Sequence, residues 1–127
     1  MNEKPKILVV DDNAGNKLLL QYSLDGIFDV DFASNGLSAI NKFKQSKYDL
    51  ILMDIYMPDM DGIETTHRIR AMENGHHTPI IALTAFTSRN QKLKCMEAGM
   101  DDYLLKPIHG KALIEHLNNY LNSSMIS

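Results

Sequence analysis

The chain has 127 residues, 44% apolar and 23% charged, with a formal net charge of −3. That suits one globular domain, which buries roughly two thirds of its unfolded surface without a disulfide or structural metal. The slight acidity gives no electrostatic support to nucleic-acid or membrane-surface binding, and no stretch reaches the roughly 20 apolar residues of a spanning helix.

Apolar runs of four to five residues alternate with longer segments of helical period. The first predicted strand is Lys6 to Val10, and a helix follows from Asn16 to Leu24 with a wide apolar face. The second strand, Asp29 to Ala33, alternates apolar and acidic residues and reads as a sheet edge with one wetter face. Asn35-Gly36 marks a turn, and a helix spans Leu37 to Gln45 with Ile40 and Phe43 inward. The third strand, Asp49 to Asp54, has a continuous apolar run and is expected to be buried on both faces.

A loop, Ile55 to Gly62, leads to a third helix over Ile63 to Met72, which Asn74-Gly75 ends. The fourth strand is Ile80 to Thr84, and the fourth helix runs from Ser88 to Ala98 and closes at Gly99. The fifth strand is Asp102 to Leu105. The last helix is Lys111 to Leu121, which leaves 122–127 as a frayed tail and 5–121 as the domain. Strict βα alternation implies a parallel sheet with right-handed crossovers and helices on both faces. The one cysteine, Cys95, falls in a helix as small packing filler. It excludes an internal disulfide and fits a reducing, cytoplasmic setting. The N-terminus does not read as a signal peptide.

Asp11, Asp12, Asp54 and Lys106 all fall at C-terminal strand ends. In an open parallel α/β sheet, ligands bind outside those ends. Adjacent carboxylates repel, and a bound cation relieves them. Hard oxygen ligands with room for water and a phosphate oxygen suit Mg²⁺ better than Zn²⁺. The plainer role for Asp11-Asp12 is to cap the first helix. A third Asp at a neighbouring strand end argues against it. Lys106 can hold a phosphate oxygen as a point charge, and Thr84 can donate its hydroxyl. Their plainer roles are a solvated loop lysine and a helix cap or strand residue. His67, His76, His77, His109 and His116 read as surface residues away from this cluster.

Four motifs stand in one order. They are Ile7-Leu8-Val9-Val10-Asp11-Asp12-Asn13, Met53-Asp54-Ile55-Tyr56-Met57-Pro58-Asp59-Met60-Asp61-Gly62, Ala82-Leu83-Thr84-Ala85 and Asp102-Tyr103-Leu104-Leu105-Lys106-Pro107-Ile108. Together they strongly resemble the receiver domain of two-component response regulators, over about Pro5 to Leu121. The resemblance implies a (βα)5 flavodoxin-like three-layer sandwich with a five-stranded parallel sheet of order 2-1-3-4-5. Asp-Asp-Asn-x-x-Asn (Asp11, Asp12, Asn13, Asn16) and Gly99 to Leu104 look most like receivers of hybrid sensor kinases and phosphorelays.

By that resemblance, Asp54 is the phosphoacceptor and takes a phosphoryl group from a phosphohistidine. Mg²⁺, for which Mn²⁺ can substitute, is held by Asp12, Asp54 and the Tyr56 backbone carbonyl, and by Asp11 through water. Lys106-Pro107 matches a cis peptide that aims the lysine. Thr84 and Tyr103 match a switch pair, in which the threonine turns to the phosphate and the aromatic ring becomes more buried. The implied partners are a histidine kinase or histidine phosphotransfer protein, and an output domain in a longer protein. Neither nucleic acid nor membrane is expected to touch this domain. Tyr56 and Phe86, two residues beyond Asp54 and Thr84, are expected to flank the acyl phosphate and slow its hydrolysis.

Two rival readings compete with a switch that only phosphorylates and dephosphorylates itself. A haloacid-dehalogenase-like phosphatase also uses a strand-end Asp, Mg²⁺ and a lysine. It usually carries Asp-x-Asp, whereas that position here is Tyr56, and the chain leaves no room for a cap. A degenerate receiver used only for docking is disfavoured because every chemical position is filled.

Overall fold

The structure is a computed structural model that describes residues 4–73, 77–85 and 88–126, the last five by backbone alone. Five strands alternate with five helices: β1 (Lys6–Val10), α1 (Ala14–Leu24), β2 (Asp29–Ala33), α2 (Gly36–Gln45), β3 (Leu50–Asp54), α3 (Gly62–Met72), β4 (Ile80–Thr84), α4 (Arg89–Ala98), β5 (Asp102–Leu105) and α5 (Gly110–Ile126). The strands form one sheet in the order β2-β1-β3-β4-β5, every neighbouring pair parallel. The expected strand order and parallel pairing are therefore those of the molecule.

Side-chain alternation explains the three layers. Leu8, Val10, Ile51, Met53, Ile80 and Ala82 point to the face where Ala39, Ile40, Ile69 and Cys95 cover them. Ile7, Val9, Leu50, Leu52, Ile81 and Leu83 point to the opposite face, against Leu20, Leu24, Leu113 and Leu117. So α1 and α5 form one layer and α2, α3 and α4 the other. Both central strands β3 and β4 are buried throughout, while β2 keeps Asp29 exposed and its middle half-buried, as an edge strand should. Cys95 is buried and unpaired, with burial pushing its thiol pKa up, which suits filler and not a nucleophile.

Helix starts follow side-chain capping. Asn13, Asn35, Asp61 and Ser88 each accept a hydrogen bond from the backbone N–H three residues on. These caps place α1 and α2 slightly earlier than the apolar period suggests, because the helices open on the small residues Ala14-Gly15 and Gly36, which add nothing to that period. The last helix needs a larger correction. The backbone of 122–126, expected as a frayed tail, is helical, because neither Gly nor Pro follows Leu121 to stop it. Gly99 does stop α4, with φ 107°, where only glycine is unstrained. The expected Asn74-Gly75 turn lies outside the described residues.

The end of the sheet away from the strand C-termini is fastened by Arg70. Its Nε donates to Gly99 O at 2.8 Å and its Nη1 to Thr78 O at 2.8 Å. Its Nη2 reaches Asp101 at 3.1 Å, and Nη1 also pairs with Glu73. Asp101 in turn accepts from Ile80 N at 2.9 Å, so one guanidinium sets the entry of both β4 and β5. Arg70→Ala would strand two largely buried carboxylates and is expected to cost about 2–4 kcal/mol of stability in urea unfolding. A loss within experimental error would show that the clasp is dispensable.

Candidate functional site

The C-terminal edge of the sheet gathers the acidic residues. Asp11 continues from β1, its N–H donating to Ala33 O at 3.0 Å, and it is fully buried. Its Oδ1 accepts from Asn13 N at 2.9 Å, which turns the chain into α1. Asn13, and neither aspartate, caps that helix, so the plainer capping role for Asp11-Asp12 is not what the structure shows. Asp54 closes β3 at 3% exposure, and Asp12 beside them is exposed. One carboxylate oxygen from each of the three lies within 4.8 Å of the others.

Lys106 reaches into this cluster from the end of β5. Its Nζ lies 3.1 Å from Asp54 Oδ1 and 3.2 Å from Asp11 Oδ2. Its own N–H donates to Thr84 O at 2.7 Å, which fixes the level at which the lysine leaves the sheet. The Lys106-Pro107 peptide is cis, as the resemblance implies. Asn16, Leu19, Leu83 and Ile108 line a narrow cleft beside Asp11 and Lys106. Thr84 is buried at the end of β4, Tyr56 is half exposed after Asp54, and Tyr103 is half-buried on β5. Phe86 lies outside the described residues.

One ammonium does not balance this cluster. Burial first, and then the Asp11 charge, push the Asp54 carboxyl up to about 6, while Lys106 offsets only part of the rise. Asp11 Oδ2 is buried without a hydrogen-bond donor of good geometry, although the Lys106 ammonium is near it. A buried anionic oxygen without a donor is a position that a metal ion, or a water bound to one, satisfies. The donor set is all hard oxygen, so the residues fit a divalent ion of the magnesium type.

Two features of the site escape a reading by motif. Gly62 opens α3 against the backbone of β3, and a Cβ there would fall 2.3 Å from Asp54 O. Its N–H donates to Ile55 O at 2.9 Å, so the loop returns over the base of Asp54. Asp61-Gly62 signals a helix start in the sequence, but nothing local signals the close approach. The second feature is His116, which is half-buried, with Nε2 2.9 Å from Asp102 Oδ2. Tyr120 OH donates to the same oxygen at 2.9 Å. His116 is therefore tied into the fold and does not read as a plain surface residue. His67 and His109 are exposed, and His77 is exposed but bonded to Asp101. His76 lies outside the described residues.

A doubly covered parallel sheet, with acids and a lysine converging beyond its strand ends, defines a phosphoryl-handling α/β domain of the flavodoxin-like class. The profile described as the response regulator receiver domain matches residues 7–118, and the chain belongs to that family. It is 44% identical over 115 residues to the sensor protein GacS of Pseudomonas syringae pv. syringae, covering 87% of this chain and 13% of that protein. It is 43% identical over 122 residues to the signal transduction histidine-protein kinase BarA of Escherichia coli K12, covering 95% of this chain and 13% of BarA. The chain thus spans about an eighth of the length of these curated relatives. Among solved structures, it superposes on the receiver domain of the sensor histidine kinase PA1611 of Pseudomonas aeruginosa. That match has a TM-score of 0.85 and 37% identity, covering 94% of this chain and 98% of that one. The PA1611 domain was crystallised with a magnesium ion coordinated in its active-site cleft. The chemotaxis protein CheY4 of Vibrio cholerae matches with a TM-score of 0.88 and 30% identity, over 93% of this chain and 99% of that one. None of these matches is to a haloacid-dehalogenase-like phosphatase.

The raised Asp54 carboxyl has a consequence for stability. The unfolded group titrates near 3.9, so between about pH 4 and about 6 the folded state binds more protons. Stability contributed by the protonated group is present below that window and is lost as pH rises through it. In metal-free protein, Asp54→Asn is expected to stabilise by about 2–3 kcal/mol near neutral pH, shrinking towards zero near pH 4. Urea unfolding with a chelator at the two pH values measures this, and a gain independent of pH would contradict it.

Proposed function

We propose that Asp54 is the phosphoacceptor of a two-component or phosphorelay switch. The observation that carries this reading is the contact of Lys106 Nζ with Asp54 Oδ1 at 3.1 Å inside a three-carboxylate cluster. An Asp54 oxygen attacks the phosphorus of a phosphohistidine. The P–N bond breaks, its electron pair returns to the imidazole nitrogen, and an acyl phosphate forms. Lys106 holds a phosphoryl oxygen and balances charge that the attack concentrates at the strand ends. Thr84, at the end of β4, supplies a hydroxyl to another.

Asp12, Asp54 and the Tyr56 carbonyl would hold Mg²⁺ or Mn²⁺, with Asp11 bound through water. The ion would neutralise the crowded carboxylates and the incoming phosphoryl oxygens. The magnesium in the PA1611 domain supports that assignment. Once Asp54 carries phosphate, Thr84 turns towards it and Tyr103 becomes more buried. The face of α4, β5 and α5 then presents a different surface to partners.

The donor is a histidine kinase or a histidine phosphotransfer protein. The similarity to GacS and BarA supports placement within a hybrid kinase, on its cytoplasmic side, with output through another domain or protein. The functional unit is residues 5–121, its output is binding, and it turns over no separate substrate. Among the described residues no helix is long and apolar enough to cross a membrane. The slight acidity disfavours contact with nucleic acid or a membrane surface.

Incubation with a small-molecule phosphodonor and Mg²⁺ tests the reading. Wild-type protein should take up one stable phosphoryl group, Asp54→Asn none, and Lys106→Ala should label about 100-fold more slowly. Rapid release of free phosphate without a labelled protein would favour a phosphatase. Tyr56 lies two residues beyond Asp54 with its side chain half exposed, which supports a role in hindering an in-line water. Tyr56→Asn should therefore release phosphate faster than wild type, and an unchanged lifetime would remove Tyr56 from that role.

A further inference from the structure

Tyr103 is held in two different ways. Its backbone is fixed: its N–H donates to Asp102 Oδ1 at 2.8 Å, and Asp102 Oδ2 is held from α5 by His116 and Tyr120, each at 2.9 Å. Its ring is half-buried and packs against the core under α2, α3 and α4. Lys92 on α4 places its ammonium 4.5 Å from the ring centroid. Among the described residues, no carboxylate lies within ion-pairing reach of that ammonium. The charge of Lys92 is thus spent on the aromatic face, where a partly desolvated cation is attracted by the ring quadrupole.

We propose that Lys92 is a latch on Tyr103, holding the ring in its half-buried position and opposing the inward turn that follows phosphorylation. The inference rests on the reading of Asp54 and Tyr103 given above and adds the residue that sets their coupling. With the backbone clamped by Asp102, a change at Tyr103 is confined to its side chain. The latch requires that turning the ring inward take its face away from the ammonium, so that the contact stabilises the unphosphorylated arrangement selectively. Any ligand that favours the inward ring must overcome that contact. By linkage, removing it tightens binding of such a ligand by the same factor. Lys92 is a positioning residue in this scheme and touches no reacting atom.

Beryllofluoride, a mimic of the acyl phosphate, is the probe, titrated by calorimetry in magnesium buffer. Lys92→Met should bind it about three- to tenfold more tightly than wild type. Lys92→Arg keeps a cation on the ring and should match wild type. In a Tyr103→Ala background, Lys92→Met should no longer tighten binding. Loss of a positive charge alone weakens binding of an anion, so tightening is opposite in sign to a simple field effect. Before beryllofluoride is added, the Tyr103 ring resonances of Lys92→Met should already be displaced towards the bound position. Wild-type binding with unchanged or weaker affinity in Lys92→Met overturns the latch and leaves the phosphoacceptor reading standing. Wild-type protein that binds no beryllofluoride overturns that reading, and the latch with it.

Discussion

The ion pairs from Lys106 to Asp54 and Asp11 bring the fold and the chemistry together. A parallel sheet directs all its strand ends one way, so residues 11, 54 and 106 meet although they are far apart in sequence. The lysine keeps the buried carboxylates tolerable but does not neutralise them. The remaining negative charge makes the site hungry for a divalent ion, and the pair of cations then makes it hospitable to a phosphoryl group. Stability is given up at this edge, where Asp54 stays hard to ionise. It is recovered in the doubly covered core and at the Arg70 clasp on the opposite edge.

The same geometry gives a route from the site to the surface. Thr84 O accepts from Lys106 N, so the ends of β4 and β5 are joined by one backbone hydrogen bond beside the acidic cluster. Tyr103 pairs with Ala82 across the β4–β5 ladder, has Lys92 of α4 over its ring, and follows Asp102, which His116 and Tyr120 of α5 clamp. A charge event at Asp54 therefore has a short physical path to two helices. Coupling over such a distance needs an element with two arrangements, and the Tyr103 ring is suited to be one.

Much of this was legible in the chain. Apolar runs such as Leu50 to Met53, short and bounded by charged residues, read as strands covered on both faces, whereas the caps Asn13, Asn35 and Asp61, which set the helix starts, are not picked out by the apolar period. The acids stand out because charge directly after a buried strand is costly and needs a reason. What remained hidden depends on contacts between distant residues. Arg70 meets Gly99 and Asp101, Asp102 meets His116 and Tyr120, and Gly62 presses on the Asp54 carbonyl. No period or motif encodes those meetings. The far end of α5 was hidden for another reason: polar residues after Leu121 look like a tail, yet none of them breaks a helix.

Calorimetric titration of magnesium into the metal-free protein tests the charge argument at its root. One ion should bind per chain near neutral pH, with affinity falling steeply in Asp12→Ala and also on acidification through the range where Asp54 takes up its proton. Absence of binding at millimolar magnesium, or binding indifferent to both changes, would contradict it.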